Sequence, residues 1–481
     1  MKVKFVNATL GGDYSALDIA ITCLATYLNE RTPHRATITD LTFRRRVWKE
    51  KLLADIDRDA PDLIGISANT MYMQYVKEVI AHIARHRNLP VILGGYHASL
   101  KPEETLSLPG VDALFIGDGE LTLADYLNRL EGGGDVSQIP GVWTKRNGTI
   151  VKTGRGCFIK EIDSLPIPNW DLWEDLDLYF YFLGMLYIIG TRGCPFKCTY
   201  CDAHGISEAV EGQYYRVRDP VSYAQEIAFQ WEKYKHRNMR LAQLFDQIPT
   251  ASIAWLRPFC ESYMQTSAWG KLRYSMFARI DQLDEEKLEL LGKSGCALLR
   301  VGIESGNDFI RNEVYGKHIS REKIKEIFRI AKANGIGFTA FNILGGPAET
   351  PVTLRDTIRL AMELDANRTA FFIYKPFTEE GCRQIYQYGG WIDDARWKAA
   401  DNITFGAVVE SKKLRVRTVE RYQKIAYFLT FGRRLLRMIL RQKLRYFRNL
   451  FVYLRRGWRY GLHFGYTMIY YHIYGYDNVD K

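Results

Sequence analysis

The sequence has no long apolar run. No stretch reaches the roughly 18 apolar residues that a membrane-spanning helix needs. The start, Met1-Lys2-Val3-Lys4-Phe5-Val6-Asn7, turns polar too soon for a secretory signal. A disulfide framework is also missing: eight cysteines in 481 residues are sparse, and three of them crowd one loop. Cys23, Cys157, Cys260, Cys296 and Cys382 stand singly, as buried small hydrophobes do. There is no internal repeat and no low-complexity segment, and between Arg421 and Tyr476 there is no Asp or Glu. These absences exclude a helical membrane protein, a secreted disulfide scaffold and a solenoid. The expectation is a cytoplasmic protein with reduced thiols.

What is present is an ordinary globular composition, 47% hydrophobic and 25% charged. A chain of 481 residues exceeds the size at which one core keeps growing, so two or three domains are expected. The net charge of +11 is concentrated at the end of the chain. There Arg433, Arg434, Arg437, Arg441, Lys443, Arg445 and Arg448 interleave with Leu435, Leu436, Ile439, Leu440, Phe447 and Leu450 at helical spacing. A basic amphipathic helix reads as peripheral membrane-surface contact, possible alongside anionic-substrate contact or a solvated face on a packed helix. Nucleic acid is not the expected partner.

The central stretch is Gly190-Thr191-Arg192-Gly193-Cys194-Pro195-Phe196-Lys197-Cys198-Thr199-Tyr200-Cys201. Thiolates at C-x3-C-x2-C spacing suit an iron–sulfur cluster, and three without a fourth would leave one iron open. The alternative is a structural zinc loop completed by His204, although zinc sites usually come as paired hooks.

Either side of this loop, apolar runs alternate with helical stretches. Residues 2–8, 36–41, 63–67, 91–95 and 113–117 read as strands of a doubly wound parallel sheet, with ligands at the carboxyl ends. Residues 142–152, around Asn147-Gly148, read as a hairpin in a Pro-punctuated connector. From about 186 to 385 strand and helix signals alternate six more times, giving a partial (β/α)6 barrel with function on the strand-end loops. The expected divisions are 1–135, a linker to 185, the barrel to 385, and a helical basic region beyond.

C-x3-C-x-aromatic-C, with Thr191 to Pro195 before it and Gly302-Ile303-Glu304-Ser305-Gly306 beyond, resembles the radical S-adenosylmethionine (SAM) superfamily. The first 130 residues resemble the cobalamin-binding domain that precedes many of its members. The residues that carry this are Gly94-Gly95-Tyr96-His97-Ala98 and Gly117-Asp118-Gly119-Glu120. The resemblance implies a 4Fe-4S cluster on Cys194, Cys198 and Cys201, whose open iron chelates SAM. Cleavage of SAM would then give a 5′-deoxyadenosyl radical. It places Tyr200 near the adenine, Glu304 and its neighbour Ser305 at the ribose, Arg279 and Lys317 at the methionine carboxylate, and Gly345, Gly346 and Pro347 beside the adenine. Asp246 matches less closely, since relatives often carry a second acid where Gln247 stands.

For cobalamin the implied contacts are Ser67, Thr70, Gly94, Gly95, Gly117, Gly119 and Glu120. The family's cobalt-ligating Asp-x-His-x-x-Gly motif is missing, because the first loop reads Gly11-Gly12-Asp13-Tyr14-Ser15. The implied activity is methylation of an unactivated carbon of a small-molecule or lipid substrate through methylcobalamin. An external flavodoxin- or ferredoxin-type reductant would supply the electron. Ring formation, as in anaerobic porphyrin-ester cyclases, uses the same cofactors and is the enzymatic alternative. A cobalamin-responsive regulatory protein is the non-enzymatic one, and the intact cysteines argue against it.

Overall fold

The computed structural model describes residues 1–10, 17–146, 148–400, 402–440 and 455. The loop Gly11 to Ser15, the turn residue Asn147 and the basic tail beyond Leu440, apart from Arg455, lie outside the described residues. The chain forms two compact units. One comprises Met1–Leu178 with Ala203–Arg216, and the other comprises Tyr179–Asp202 with the chain from Val217 on.

The first unit is built on a seven-stranded sheet: β1 (Lys2–Asn7), β2 (Arg35–Asp40), β3 (Leu63–Ser67), β4 (Val91–Gly94), β5 (Ala113–Phe115), β6 (Val142–Arg146) and β7 (Thr149–Val151). The order is β2-β1-β3-β4-β5-β6-β7, and the first five strands pair in parallel. Their short, almost continuously apolar runs follow from burial on both faces by crossover helices. Helix Ile19–Arg31, the first of these, starts where the Asp18 carboxylate accepts from Ile21 N at 3.1 Å.

Two features differ from the sequence reading. The hairpin assigned to the connector extends the sheet instead, with Phe115 opposite Val142 in antiparallel register. Backbone closeness makes this possible, since Ile116 N donates to Gly141 O at 2.8 Å. A Cβ on Gly156 would lie 1.8 Å from Ile116 O. Second, residues 203–216, which follow the cysteine loop in the chain, fold into the first unit. A Cβ on Gly117 would meet Val210 at 2.9 Å. Arg216 donates to the Asp118 carboxylate and, at 2.7 Å, to Ile159 O.

The second unit carries six parallel strands in chain order, β8 (Met185–Ile188), β9 (Leu241–Leu244), β10 (Arg273–Ala278), β11 (Cys296–Glu304), β12 (Gly337–Leu344) and β13 (Arg368–Ile373). Side chains alternate between two faces. One face packs on helices: Tyr274 meets Phe259 and Tyr263 edge-on, Phe338 stacks on Phe328 at 3.9 Å, and Phe371 meets Tyr427. Each such buried ring contributes roughly 1.5–3 kcal/mol. Helix Val416–Leu440 closes this layer through Val419 and Ala426. Among the described residues no helix is long and apolar enough to cross a membrane.

Gly156→Ala forces its new methyl into Ile116 O and should destabilise the first unit by about 2 kcal/mol or more. Gly154→Ala, with nothing within 4 Å of the added methyl, should stay within about 0.5 kcal/mol of wild type. Urea unfolding of the two variants checks the contrast, and equal midpoints would refute the close approach.

Candidate active site

The cysteine loop is entered from β8 through Gly190 and Thr191, and a buried carboxylate pins that entry. Asp246, just past β9, accepts from Gly190 N at 2.6 Å, from Thr191 N, and from the Tyr223 hydroxyl at 2.5 Å. Burial pushes its carboxyl up to about 6 in spite of these donors. Its oxygens hold the loop, a role the sequence did not disclose.

Beyond Gly193, at φ +83°, come Cys194, Cys198 and Cys201, none of them in a disulfide and all partly exposed. Cys201 N closes a turn onto Cys198 O at 3.1 Å. Arg279 Nη1 donates to Cys198 Sγ at 3.2 Å, and its guanidinium lies 3.9 Å over the Phe196 ring. The same guanidinium is held by Asp281 at 3.0 and 3.2 Å and by Lys317 O at 3.1 Å. The arginine places a fixed positive charge beside the cysteine loop. Burial raises the Cys194 thiol, opposed by the charges of Arg279 and Lys317.

Among the described residues no three His, Cys, Asp or Glu side chains gather closely enough to hold a single metal ion. His204, the ligand the zinc alternative needs, is engaged within its own helix, Nδ1 with Ser207 Oγ and Nε2 with Glu208 Oε1, each at 3.2 Å. Three separated thiols beside an arginine suit a cluster, whose thiolates sit on different irons, better than a tetrahedral zinc site.

Glu304 ends β11 at φ +64°, strained for a residue with a Cβ. The conformation folds its carboxylate back over Gly302, where a Cβ would lie 1.9 Å from Oε1. Oε1 accepts from the Tyr200 hydroxyl at 2.8 Å and pairs with Lys317 Nζ at 3.1 Å. Burial, then the Glu304 charge, holds the Tyr200 phenol well above its usual range, so it remains a neutral donor. Oε2 has no partner among the described residues and can accept from a diol. Tyr200, Glu304, Lys317 and Arg279 are thus brought together. The Ser305 hydroxyl instead bonds Thr357 Oγ1 and accepts from Asn307 N, each at 3.2 Å.

At the end of β12 the N–H groups of Gly345 and Gly346 donate to Glu349 Oε2. Burial pushes Glu349 up to about 8. A Cβ on Gly346 would lie 2.1 Å from the Tyr315 hydroxyl, and Tyr315 meets Tyr200 edge-on at 5.3 Å. Tyr315 therefore links this Gly-Gly-Pro347 turn to the Tyr200 cluster. Sequence reasoning missed Tyr315, Glu349 and Asp281, because none lies inside a motif and only packing aims them here.

In the first unit, Ser67 bonds the Asp18 carboxylate, itself raised by burial. A Cβ on Gly95 would lie 2.9 Å from Ala68 O, and one on Gly119 would lie 2.9 Å from Leu24. Glu120 is buried at the start of helix Glu120–Glu131. Packing explains these positions. Two features fit a flat ligand at the ends of β3 and β4. A Cβ on Gly94 would make only ordinary contact, 3.9 Å from Phe115 Cβ. Thr70 Oγ1 bonds Nδ1 of buried His97 at 3.1 Å, while among the described residues His97 Nε2 has no hydrogen-bond partner and lies 3.9 Å from Glu104 Oε1.

A family model described as the B12 binding domain matches residues 3–127, and one described as the radical SAM superfamily matches residues 188–361. An uncharacterized methyltransferase of Pyrococcus horikoshii is 28% identical, over 66% of this chain and 67% of its own length. Anaerobic magnesium-protoporphyrin IX monomethyl ester cyclase of Cereibacter sphaeroides is 26% identical, over 69% of this chain and 54% of its own. The solved structure of the radical SAM methyltransferase TsrM from Kitasatospora setae shares the fold, with a TM-score of 0.69 at 20% identity, over 90% of this chain and 88% of that one.

Asp246→Ala leaves two buried N–H groups without their acceptor and the Tyr223 phenol with only the longer bond to Ile188 O, at 3.4 Å, and should cost about 3 kcal/mol or more; Asp246→Asn should cost less. The folded carboxyl titrates near 6 rather than 3.8, so it favours folding most at low pH. Wild type should therefore lose stability relative to Asp246→Asn as the pH rises from about 4 to about 6. Parallel stability–pH curves for the two proteins would overturn this account of Asp246.

Proposed function

For a chain that joins a B12-binding domain to a radical SAM domain, we propose an enzyme that methylates an unactivated carbon of a small-molecule or lipid substrate, using cobalamin, a 4Fe-4S cluster and SAM. The observation that carries it is the reduced Cys194/Cys198/Cys201 loop, with Arg279 on Cys198 and the Tyr200–Glu304–Lys317 cluster beside it. When bound, the cluster supplies the electron that cleaves SAM, and the cobalt carries the methyl group.

The protein's own residues position and seclude. Cys194, Cys198 and Cys201 hold the cluster. Glu304 Oε2 accepts the ribose hydroxyls, and Tyr200 fixes Glu304 through Oε1. Lys317 and Arg279 supply positive charge for the methionine carboxylate. Gly345, Gly346 and Pro347 let the backbone approach the adenine, with Ser305 setting the turn after Glu304. Thr70, Gly94 and the Gly95 turn form the corrin edge, with Ser67, Gly117, Gly119 and Glu120 supporting it. No residue is assigned as a general acid or base. A flavodoxin- or ferredoxin-type protein delivers the electron, and the arginines after Arg433 support contact with an acidic membrane surface.

Ring formation is the second reading, favoured by the cyclase names among the relatives. The two separate by products, since methyl transfer turns one SAM into S-adenosylhomocysteine and ring formation does not.

Anaerobic reconstitution with iron, sulfide and hydroxocobalamin should give about four irons and one cobalt per chain. The Cys194/Cys198/Cys201→Ala variant should lose the iron and keep the cobalt. Iron without cobalt would remove the methyl-transfer reading, and S-adenosylhomocysteine alongside 5′-deoxyadenosine would favour it over ring formation.

A further inference from the structure

Helix Val416–Leu440 carries apolar residues on two sides. Val419, Gln423 and Ala426 are buried on the side packed against β13, where Gln423 donates to Phe371 O at 2.7 Å. Ile425, Phe428 and Leu429 lie on the other side: at about 100° per residue, each falls within about 60° of the line opposite Gln423. They are 41%, 76% and 39% exposed. Among the described residues no large apolar side chain is more exposed than Phe428. The outer side of a packed surface helix is normally polar, so this arrangement is inverted. A single exposed ring is ordinary, but three apolar neighbours within one turn form a patch that calls for a partner. In the sequence the same spacing continues through Gly432, Leu435, Leu436 and Ile439.

The charge beside this stripe has one sign. Arg421 and Lys424 are exposed on the turn before it. From Arg421 to Tyr476 the sequence has neither Asp nor Glu, while Arg and Lys recur. A second copy docked face to face would bring two such basic segments together, like charge against like. An acidic lipid surface meets both features at once, because its acyl region takes the apolar stripe and its headgroups take the cations.

We propose that Ile425, Phe428 and Leu429 insert into the surface layer of an acidic lipid bilayer, with the helix lying in the plane of that surface. The claim rests on the peripheral-membrane reading given above and deepens it from charge contact to insertion. Arginines alone would hold the protein at the headgroups, and salt would release it. Apolar side chains buried among the acyl chains hold against salt.

The test is cosedimentation of the full-length reconstituted protein with vesicles of phosphatidylcholine and phosphatidylglycerol in equal parts, and with vesicles of phosphatidylcholine alone. Wild type should prefer the acidic vesicles and keep part of its binding in high salt. Phe428→Ser should weaken binding about tenfold and make what remains fully salt-sensitive. Phe229→Ser, which removes a ring 53% exposed on the helix Pro220–Tyr234, should bind like wild type. Both variants should keep the iron content and melting temperature of wild type. If Phe428→Ser binds as tightly as wild type, insertion is overturned alone and charge contact stands. If wild type does not bind acidic vesicles, the membrane reading falls and takes this inference with it. A lowered melting temperature in Phe428→Ser would mean that the chain itself covers the ring, and a dimer that the substitution dissociates would mean that a second copy does; either result overturns the proposal.

Discussion

Lys317 ties the two halves of the site together. Its carbonyl accepts from Arg279, whose guanidinium touches Cys198, and its ammonium pairs with Glu304, which accepts from Tyr200. Arg279, Glu304 and Lys317 are each less than a tenth exposed. Charges buried to that degree persist only when partnered, and removing one leaves the others uncompensated. The cysteine loop and the end of β11 therefore hold their positions as one electrostatic unit. Asp281, outside any motif, belongs to it because it fixes the direction of the Arg279 fork.

Backbone strain collects around that unit. Glu304, His318 and Ala348 all have positive φ, at 64°, 54° and 62°. Each lies in a loop at a strand's carboxyl end, and for residues with a Cβ such conformations cost of order 1 kcal/mol or more. At Glu304 the gain is visible, since this turn folds the carboxylate back over Gly302 and leaves one oxygen without a partner among the described residues. The glycines nearby serve the same purpose differently: Gly345 and Gly346 turn their N–H groups onto Glu349 and admit the Tyr315 hydroxyl.

The six-stranded sheet divides its labour by face. Rings on the helix side are buried and contribute stability, while Phe245, Phe277, Phe341 and Phe372 on the other side are only partly covered. Both sets come from the same strands, one residue apart. A single-residue shift in register would exchange them, so the pairing that stabilises the fold also decides which aromatics are buried.

Much of this was legible in the chain itself. The spacing of Cys194, Cys198 and Cys201, the five apolar runs of the first sheet and the six of the second depend on local periodicity, and local periodicity survives in sequence. Glu304 and the Gly345-Gly346-Pro347 turn could be placed at strand ends for the same reason. What the sequence could not determine were contacts between residues far apart in the chain. Asp246 reaches back 55 residues to Thr191, Tyr200 reaches 104 forward to Glu304, and Arg279 reaches 81 back to Cys198. The hairpin at residues 142–151 had a readable turn, but only pairing with β5 made it part of the sheet. Residues 203–216 carried no signal that they fold with the first unit, because that choice rests on how Val210 and Arg216 pack against Gly117 and Asp118. Sequence alone therefore determined the elements and the thiol loop, whose causes lie within a few residues; tertiary structure decided which polar groups meet and which rings stay open, because those depend on where distant strands come to lie.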